Sequence, residues 1–361
     1  VLEPVPRAMV VDHVRFEAED RLHVVLAAGG EQLVLGALVE DVVDHLDGVD
    51  AAGADELERR LGGEAALPQP PGAAGGAAVL AVVFTAGVAR RSGGRSALWS
   101  TLVAVLSSIP LLTEWSWAMA AASVLTATFG AVLAVLMTRP AESVSAVVRE
   151  YTIALVVATS AAVAVAAWNA PLVYQRYYLL VLGAALAATF GIVWSLGAGL
   201  HGLGRRGVAL IVGGAGLVAV LLVYGTIVRS YGSPGVVEAI DDAVVWLHET
   251  IGGVPRPTEV LIGFPALVWG VSTRSNRRQG WWMCAFGVVG TAVMATALGS
   301  PNADTTYVAL STLYSAILGL GLGLAIRALD PGSTSRSGRR AARREGDTFV
   351  RPEPPRFAAL K

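Results

Sequence analysis

Between about residue 73 and residue 329 the chain is a series of long, almost charge-free apolar stretches, with arginines bunched between alternate ones. Hydrocarbon offers no hydrogen-bond partner to a peptide group, so apolar runs of this length must pair their own backbone as helices. The composition agrees. The chain is 54% hydrophobic and 15% charged, with a mean hydropathy of +0.59, against about 25% charged in soluble domains. The reading is an all-α polytopic membrane protein.

Spans are predicted near residues 74–89, 97–113, 117–138, 151–168, 177–200, 208–228, 258–271, 281–298 and 306–329. A crossing needs about 20 apolar residues. The first and seventh stretches are short, and the first is rich in glycine (Gly72, Gly75, Gly76, Gly87), so the bundle has eight or nine crossings. Arginine placement tests the spacing. Arg90, Arg91 and Arg95 follow the first stretch, Arg139 and Arg149 the third, and Arg205 and Arg206 the fifth. Arg274, Arg277 and Arg278 follow the seventh, and Arg336, Arg339, Arg340, Arg343 and Arg344 the ninth. The intervening loops hold Arg176, Arg229 and Arg256. Every second loop is basic, which by the positive-inside rule places these loops and the C-terminus in the cytoplasm of a multi-pass plasma-membrane protein. If residues 74–89 cross, the N-terminal module lies outside; if they only dip into the bilayer, it lies inside.

Charge divides the remainder. Residues 1–66 carry fifteen Asp and Glu against five Arg. They read as a small acidic soluble α/β module: two short strands around the polar Glu17–Arg21 stretch, then a helix with Leu35, Leu38, Val39, Val42, Val43 and Leu46 on one face. The first twenty residues lack a continuous apolar core, so no secretory signal is expected there. Residues 67–76 read as a Pro/Gly/Ala linker and 77–329 as the membrane domain. Residues 330–361 are rich in Arg, Ser, Pro and Gly, and read as a disordered basic tail, with Arg336–Arg344 suited either to anionic lipid or to a topology signal alone. A single cysteine, Cys284, excludes an intrachain disulfide.

Within the spans the clearest pattern is a small residue at every fourth position. Gly183, Ala187, Gly191, Ser195 and Gly199 form one set. Ser311, Ser315, Gly319 and Gly323 form another, and Gly287, Thr291, Ala295 and Gly299 a third. A four-residue step nearly closes on a 3.6-residue helix, so each set is a smooth stripe suited to helix packing. Leu125–Val132 and Leu186–Val193 are near copies, LTATFGAV and LAATFGIV, by duplication or by chance. Trp115, Trp117, Trp168, Tyr174, Tyr177, Tyr178, Trp281 and Trp282 fall at predicted span ends, where rings anchor at the headgroup level. Arg274, Arg277, Arg278, Trp281 and Trp282 are therefore expected to meet lipid headgroups. Pro110 and Pro265 should kink their helices, and Pro265 after Gly263 can mark a broken helix at a binding site.

The longest external loop, residues 229–257, holds an amphipathic helix that starts at Ser233–Pro234 and stops at Gly252–Gly253. His248, Glu249 and the nearby Glu259 are the candidates for acid–base chemistry there, against a plain solvated face. No ionisable residue is expected near mid-span, which argues against ion-coupled transport. No phosphate loop, HExxH or GxSxG motif is present, and no metal or cofactor is expected. The leading function is an accessory or scaffold subunit of a membrane complex, with lipid and another membrane protein as partners and no nucleic acid. The second is a permease or flippase for a neutral or lipid-like substrate, along Thr126, Thr128, Thr159, Ser160, Thr189 and Ser195. The third is a membrane-embedded transferase acting at the outer face.

Overall fold

The structure is a computed structural model. It describes residues 72–113, 115–171, 173–196, 212–214, 216–217, 220, 234–274, 280–299, 304–330 and 353–360. The expected acidic module and the predicted span at 208–228, apart from a few positions, lie outside these residues. Every regular element described is helical. In chain order these are α1 (Ala73–Arg91), α2 (Ser96–Thr113), α3 (Ser116–Leu136), α4 (Val144–Trp168), α5 (Tyr174–Ser195) and α6 (Pro234–Ile251). A π-helical turn, Glu259–Gly263, then leads into α7 (Phe264–Arg274), followed by α8 (Gly280–Thr296) and α9 (Thr305–Leu329). Among the described residues, six helices are long and apolar enough to cross a bilayer: α1 to α5 and α9. The chain is thus built as an integral membrane protein. The predicted spans at 258–271 and 281–298 appear as shorter helices, and residues 73–76 of the expected linker are the first turn of α1.

Local chemistry sets the helix ends. The Ser143 side chain caps α4 by accepting from the Ala146 N–H, and Asp304 caps α9 by accepting from Thr306. Helix α4 stops at Asn169, the one non-glycine with positive φ among the described residues. Pro110 lies in the last turn of α2. Pro234 opens α6, and Gly252, at φ 73°, follows its end as expected.

Helix α8 is the axis of the bundle. All seventeen of its residues are buried, and it packs against α3, α4, α5 and α7. Its own third-stripe residues serve that contact: Thr291 donates to the Ala131 carbonyl of α3 at 3.0 Å, and a Cβ on Gly287 would press into Leu267. Around this axis the outer helices expose a belt of large apolar side chains, among them Leu98, Leu102, Val105, Val156, Val163, Leu180, Leu313 and Ile317. Water would not tolerate so large an exposed apolar surface, and a lipid environment accounts for it.

Between α6 and the π turn the backbone is not helical over residues 253–256. Such backbone survives inside an apolar bundle only if other groups satisfy it. The α9 stripe does so. Ser311 Oγ accepts from the Val254 N–H at 2.9 Å, and Ser315 Oγ from the Arg256 N–H at 2.8 Å. Tyr314 donates to the Ile251 carbonyl at 2.8 Å. One and two turns further on, Gly319 lets Phe264 approach and Gly323 lets Val268 approach. The π turn brings Gly263 onto Gly290 of α8, backbone against backbone. Pro265 follows it and supplies no N–H, so the predicted break is an unwound stretch and a π turn rather than a simple kink.

Substituting Gly263 with alanine sets a methyl against the Gly290 backbone, which cannot give way as a flexible side chain would. Gly263→Ala should cost at least the ~1–3 kcal/mol typical of overpacking. Gly183→Ala, whose new methyl meets nothing, should be neutral or stabilising by about 1 kcal/mol. Melting of the two variants in detergent measures the difference.

Candidate functional sites: a buried charge cluster and an open helix face

Helix α3 ends with three carbonyls that no further turn can satisfy, and each accepts from a different arginine. Arg91, at the end of α1, donates from Nε to the Leu136 carbonyl at 3.0 Å. Arg356, in the C-terminal segment, donates from Nη1 to Met137 at 3.0 Å. Arg274, at the end of α7, donates from Nη2 to Thr138 at 2.9 Å and from Nη1 to the Thr138 hydroxyl at 2.9 Å. The negative pole of a helix C-terminus favours all three cations. Arg327 of α9 donates to the Glu142 carbonyl, and the Ala141 N–H to Val271 at 3.1 Å. The basic ends of the first, third, seventh and ninth predicted spans thus meet at one end of the bundle.

Two carboxylates offset part of this positive charge. Glu150 of α4 is fully buried. Its Oε2 accepts from the Arg139 N–H at 2.9 Å, and its Oε1 from Arg149 at 3.0 Å and Arg356 at 2.9 Å. Glu353 meets Arg274 in a two-point pair, Nε to Oε1 at 3.1 Å and Nη2 to Oε2 at 2.7 Å. The Arg274 guanidinium lies 3.7 Å over the Trp281 ring, and its Nη1 lies 3.6 Å from Cys284 Sγ. Arg91, Glu150, Glu259, Arg274 and Arg327 are buried, so charge that the sequence places away from mid-span is nonetheless enclosed in the membrane domain. Glu150 and Arg91 are span-end residues by sequence, but the ends themselves are enclosed by protein.

The tail also departs from expectation. Glu353–Leu360 makes defined contacts instead of the disorder its composition suggested: beyond the Glu353 and Arg356 pairs, Arg91 donates from Nη1 to the Pro355 and Ala358 carbonyls at 3.2 and 2.9 Å. The Leu360 N–H returns to the Arg91 carbonyl at 2.9 Å. Headgroup contact is not where the structure places Arg274, Trp281 and Trp282. Arg274 is buried, and the two rings are 7% and 4% exposed, because α8 enters the bundle centre from its first turn. Trp168 and Tyr177 are buried likewise, Trp168 donating to Thr126 at 2.9 Å and Tyr177 meeting Ser123 at 3.2 Å. Trp115 and Trp117 are exposed as anchors should be. Arg277 and Arg278 lie outside the described residues.

In the unwound stretch Arg256 and Glu259 form an ion pair at 3.3 Å, with Arg256 also donating to Thr312 at 3.3 Å. Glu259 is fully buried in the π turn. The three acid–base candidates therefore occupy different settings. His248 packs its ring on Tyr307, with Nδ1 buried and unpaired. Glu249 is exposed, and Glu259 is committed to Arg256. Among the described residues no three His, Cys, Asp or Glu side chains gather closely enough to hold a metal.

The two main stripes have opposite fates. Ser311, Ser315, Gly319 and Gly323 are all buried. Gly183, Ala187, Gly191 and Ser195 are exposed, and a Cβ added to Gly183 or Gly191 would meet nothing; Gly199 lies outside the described residues. The paired eight-residue segments show the same contrast. Gly130 is packed tightly under Ala161 and Phe84, while its counterpart Gly191 is open. Ala187, Gly191 and Ser195 form one wall of a groove of about 360 Å³, opposite Thr85, Val88, Trp99 and Phe129. Of the six hydroxyls proposed for a permeation path, Thr126, Thr128 and Thr189 are buried, whereas Thr159 is exposed, Ser160 is half-buried, and both donate to carbonyls of their own helix. Searches of protein-family models, curated proteins and solved structures find no match to this chain.

Removing one partner of a buried ion pair strands the other. Arg256→Ala should cost about 3–5 kcal/mol, and Arg256→Ala with Glu259→Gln should recover much of it. A double-mutant cycle on detergent-solubilised protein checks the coupling.

Proposed function

We infer that this is a multi-pass protein of the cell membrane without catalysis of its own, an accessory or scaffold subunit that packs against another membrane protein. The supporting observation is the open face of α5. A repeat of small residues on α9 is filled by this chain's own backbone and rings, whereas the like repeat on α5 is left bare beside a groove. In lipid, hydrophobicity does not drive helices together, and close backbone approach along such a face does. The occupant proposed is a transmembrane helix of a different protein, lying along Gly183, Ala187 and Gly191.

Purification through an affinity tag in mild detergent, followed by mass spectrometry, should recover a second membrane protein in constant ratio. Gly191→Leu should lose that protein while its own yield and melting temperature stay unchanged. Recovery of the chain alone overturns the reading, as does a partner indifferent to Gly191→Leu.

A permease or flippase for a neutral or lipid-like substrate is the second reading. One observation favours it: Thr128 and Thr189, equivalent positions in the two near-copy segments, bury hydroxyls with no hydrogen-bond partner, a costly arrangement in an apolar setting. Transport of such a substrate into vesicles, abolished by Thr128→Val, would favour it over the scaffold.

The end bearing Arg91, Arg274 and Glu353–Leu360 is placed in the cytoplasm from the arginine bias. A cysteine introduced at Ser337 should be labelled by an impermeant maleimide only after the membrane is opened. Cys284 is buried and should contribute little background.

A further inference from the structure

The contacts at the basic end have the character of a recognition site. Three receiving groups stand on three helices. Arg274 takes a carboxylate with two parallel N–H bonds, Glu150 takes a guanidinium, and Arg91 takes two main-chain carbonyls. Two-point pairing of guanidinium with carboxylate fixes orientation as well as charge. Arg91 and Arg274 are also held by the end of α3, through the Leu136 and Thr138 carbonyls, and Glu150 by the Arg139 N–H. The receiving side therefore has fixed positions of its own.

The bound side is a short surface strip. Glu353 and Arg356 supply opposite charges three residues apart, and Pro354 and Pro355 between them restrict the backbone before it binds. The chain then turns, the Ala358 N–H donating to the Pro355 carbonyl at 2.9 Å, and lays Leu360 against the apolar core. Phe357 points away and is 71% exposed. No residue of the strip is fully buried, so its hold comes from charge and hydrogen bonds rather than from a deep apolar anchor. Interactions of that kind weaken with salt and can be exchanged.

We propose that the basic end of the bundle is a binding site for a peptide bearing a carboxylate and a guanidinium three residues apart, and that Glu353–Leu360 occupies it in cis as a releasable latch. The covalent link through residues 331–352 keeps the local concentration of this peptide high, of the order of millimolar for a short tether. Release would leave the Arg274 guanidinium without its carboxylate. The site therefore favours being occupied. This inference stands on the tail contacts alone and is independent of what covers α5.

The test uses the full chain with a specific protease site placed between Arg344 and Phe349 and an affinity tag after Lys361. After cleavage in detergent at low salt, the tagged tail should stay with the membrane domain. A synthetic peptide of residues 351–361 in excess should displace it. The same peptide with Glu353→Arg should compete at least about 30-fold more weakly, as loss of the carboxylate that pairs the buried Arg274 implies. The protein itself is unaltered at every contact residue, so misfolding of a variant does not cloud the result. Immediate loss of the tail on cleavage overturns the proposal. So does equal competition by both peptides, or a tail that no peptide displaces while the protein remains folded, which would make the strip a fixed part of the fold.

Discussion

Three bare carbonyls at the end of α3 are the constraint around which this bundle closes. The carbonyls of Leu136, Met137 and Thr138 have no next turn to donate hydrogen bonds to them, and arginine side chains do so instead. An arginine on each satisfies the backbone and answers the helix dipole together. Because those arginines come from α1, α7 and the C-terminal segment, one local backbone requirement ties sequence-distant parts of the chain to a single point. The charges gathered there then require Glu150 and Glu353, so polar groups enter the fold as a consequence of ending a helix inside protein.

At the unwound stretch before α7 the same economy appears with hydroxyls in place of guanidinium groups. Ser311 and Ser315 serve the exposed N–H groups of Val254 and Arg256, and Gly319 and Gly323 make room for the helix that follows. A repeat that reads in sequence as uniform smoothness divides into a polar half that satisfies backbone and an empty half that admits side chains. The α5 repeat has no such companion among the described residues, and this asymmetry separates internal packing from a face offered outward.

Six of the predicted spans, those that became α1 to α5 and α9, were legible because hydropathy answers to the bilayer directly. The basic ends of α1, α3, α7 and α9 do gather at one end, as the alternation required. The start of α6 at Pro234 and its stop at Gly252 were legible from proline and glycine chemistry. What escaped was direction within a plane. Trp281 and Trp282 lie at a span end, as their position suggested, but α8 turns them inward, and hydropathy assigns no such facing. The burial of Glu150 and Glu259 was not legible: Arg356, which meets Glu150, is 206 residues away, and nothing in periodicity shows that Arg256, three residues before Glu259, turns back to pair with it inside the bundle. The tail's composition resembles that of unfolded segments, yet two charges at a three-residue spacing, with the main-chain bonds to Arg91 and the packing of Leu360, hold eight residues against the bundle.

Helix α8 carries a consequence of its own. A seventeen-residue helix is about 26 Å long, shorter than the roughly 30 Å hydrocarbon layer. Its neighbours enclose it on all sides, so it owes nothing to hydrophobic matching. Thinning or thickening of the bilayer therefore bears on the rim of this molecule, on α2 above all with its mostly exposed surface. The central pillar keeps the same dimensions in any membrane that receives it.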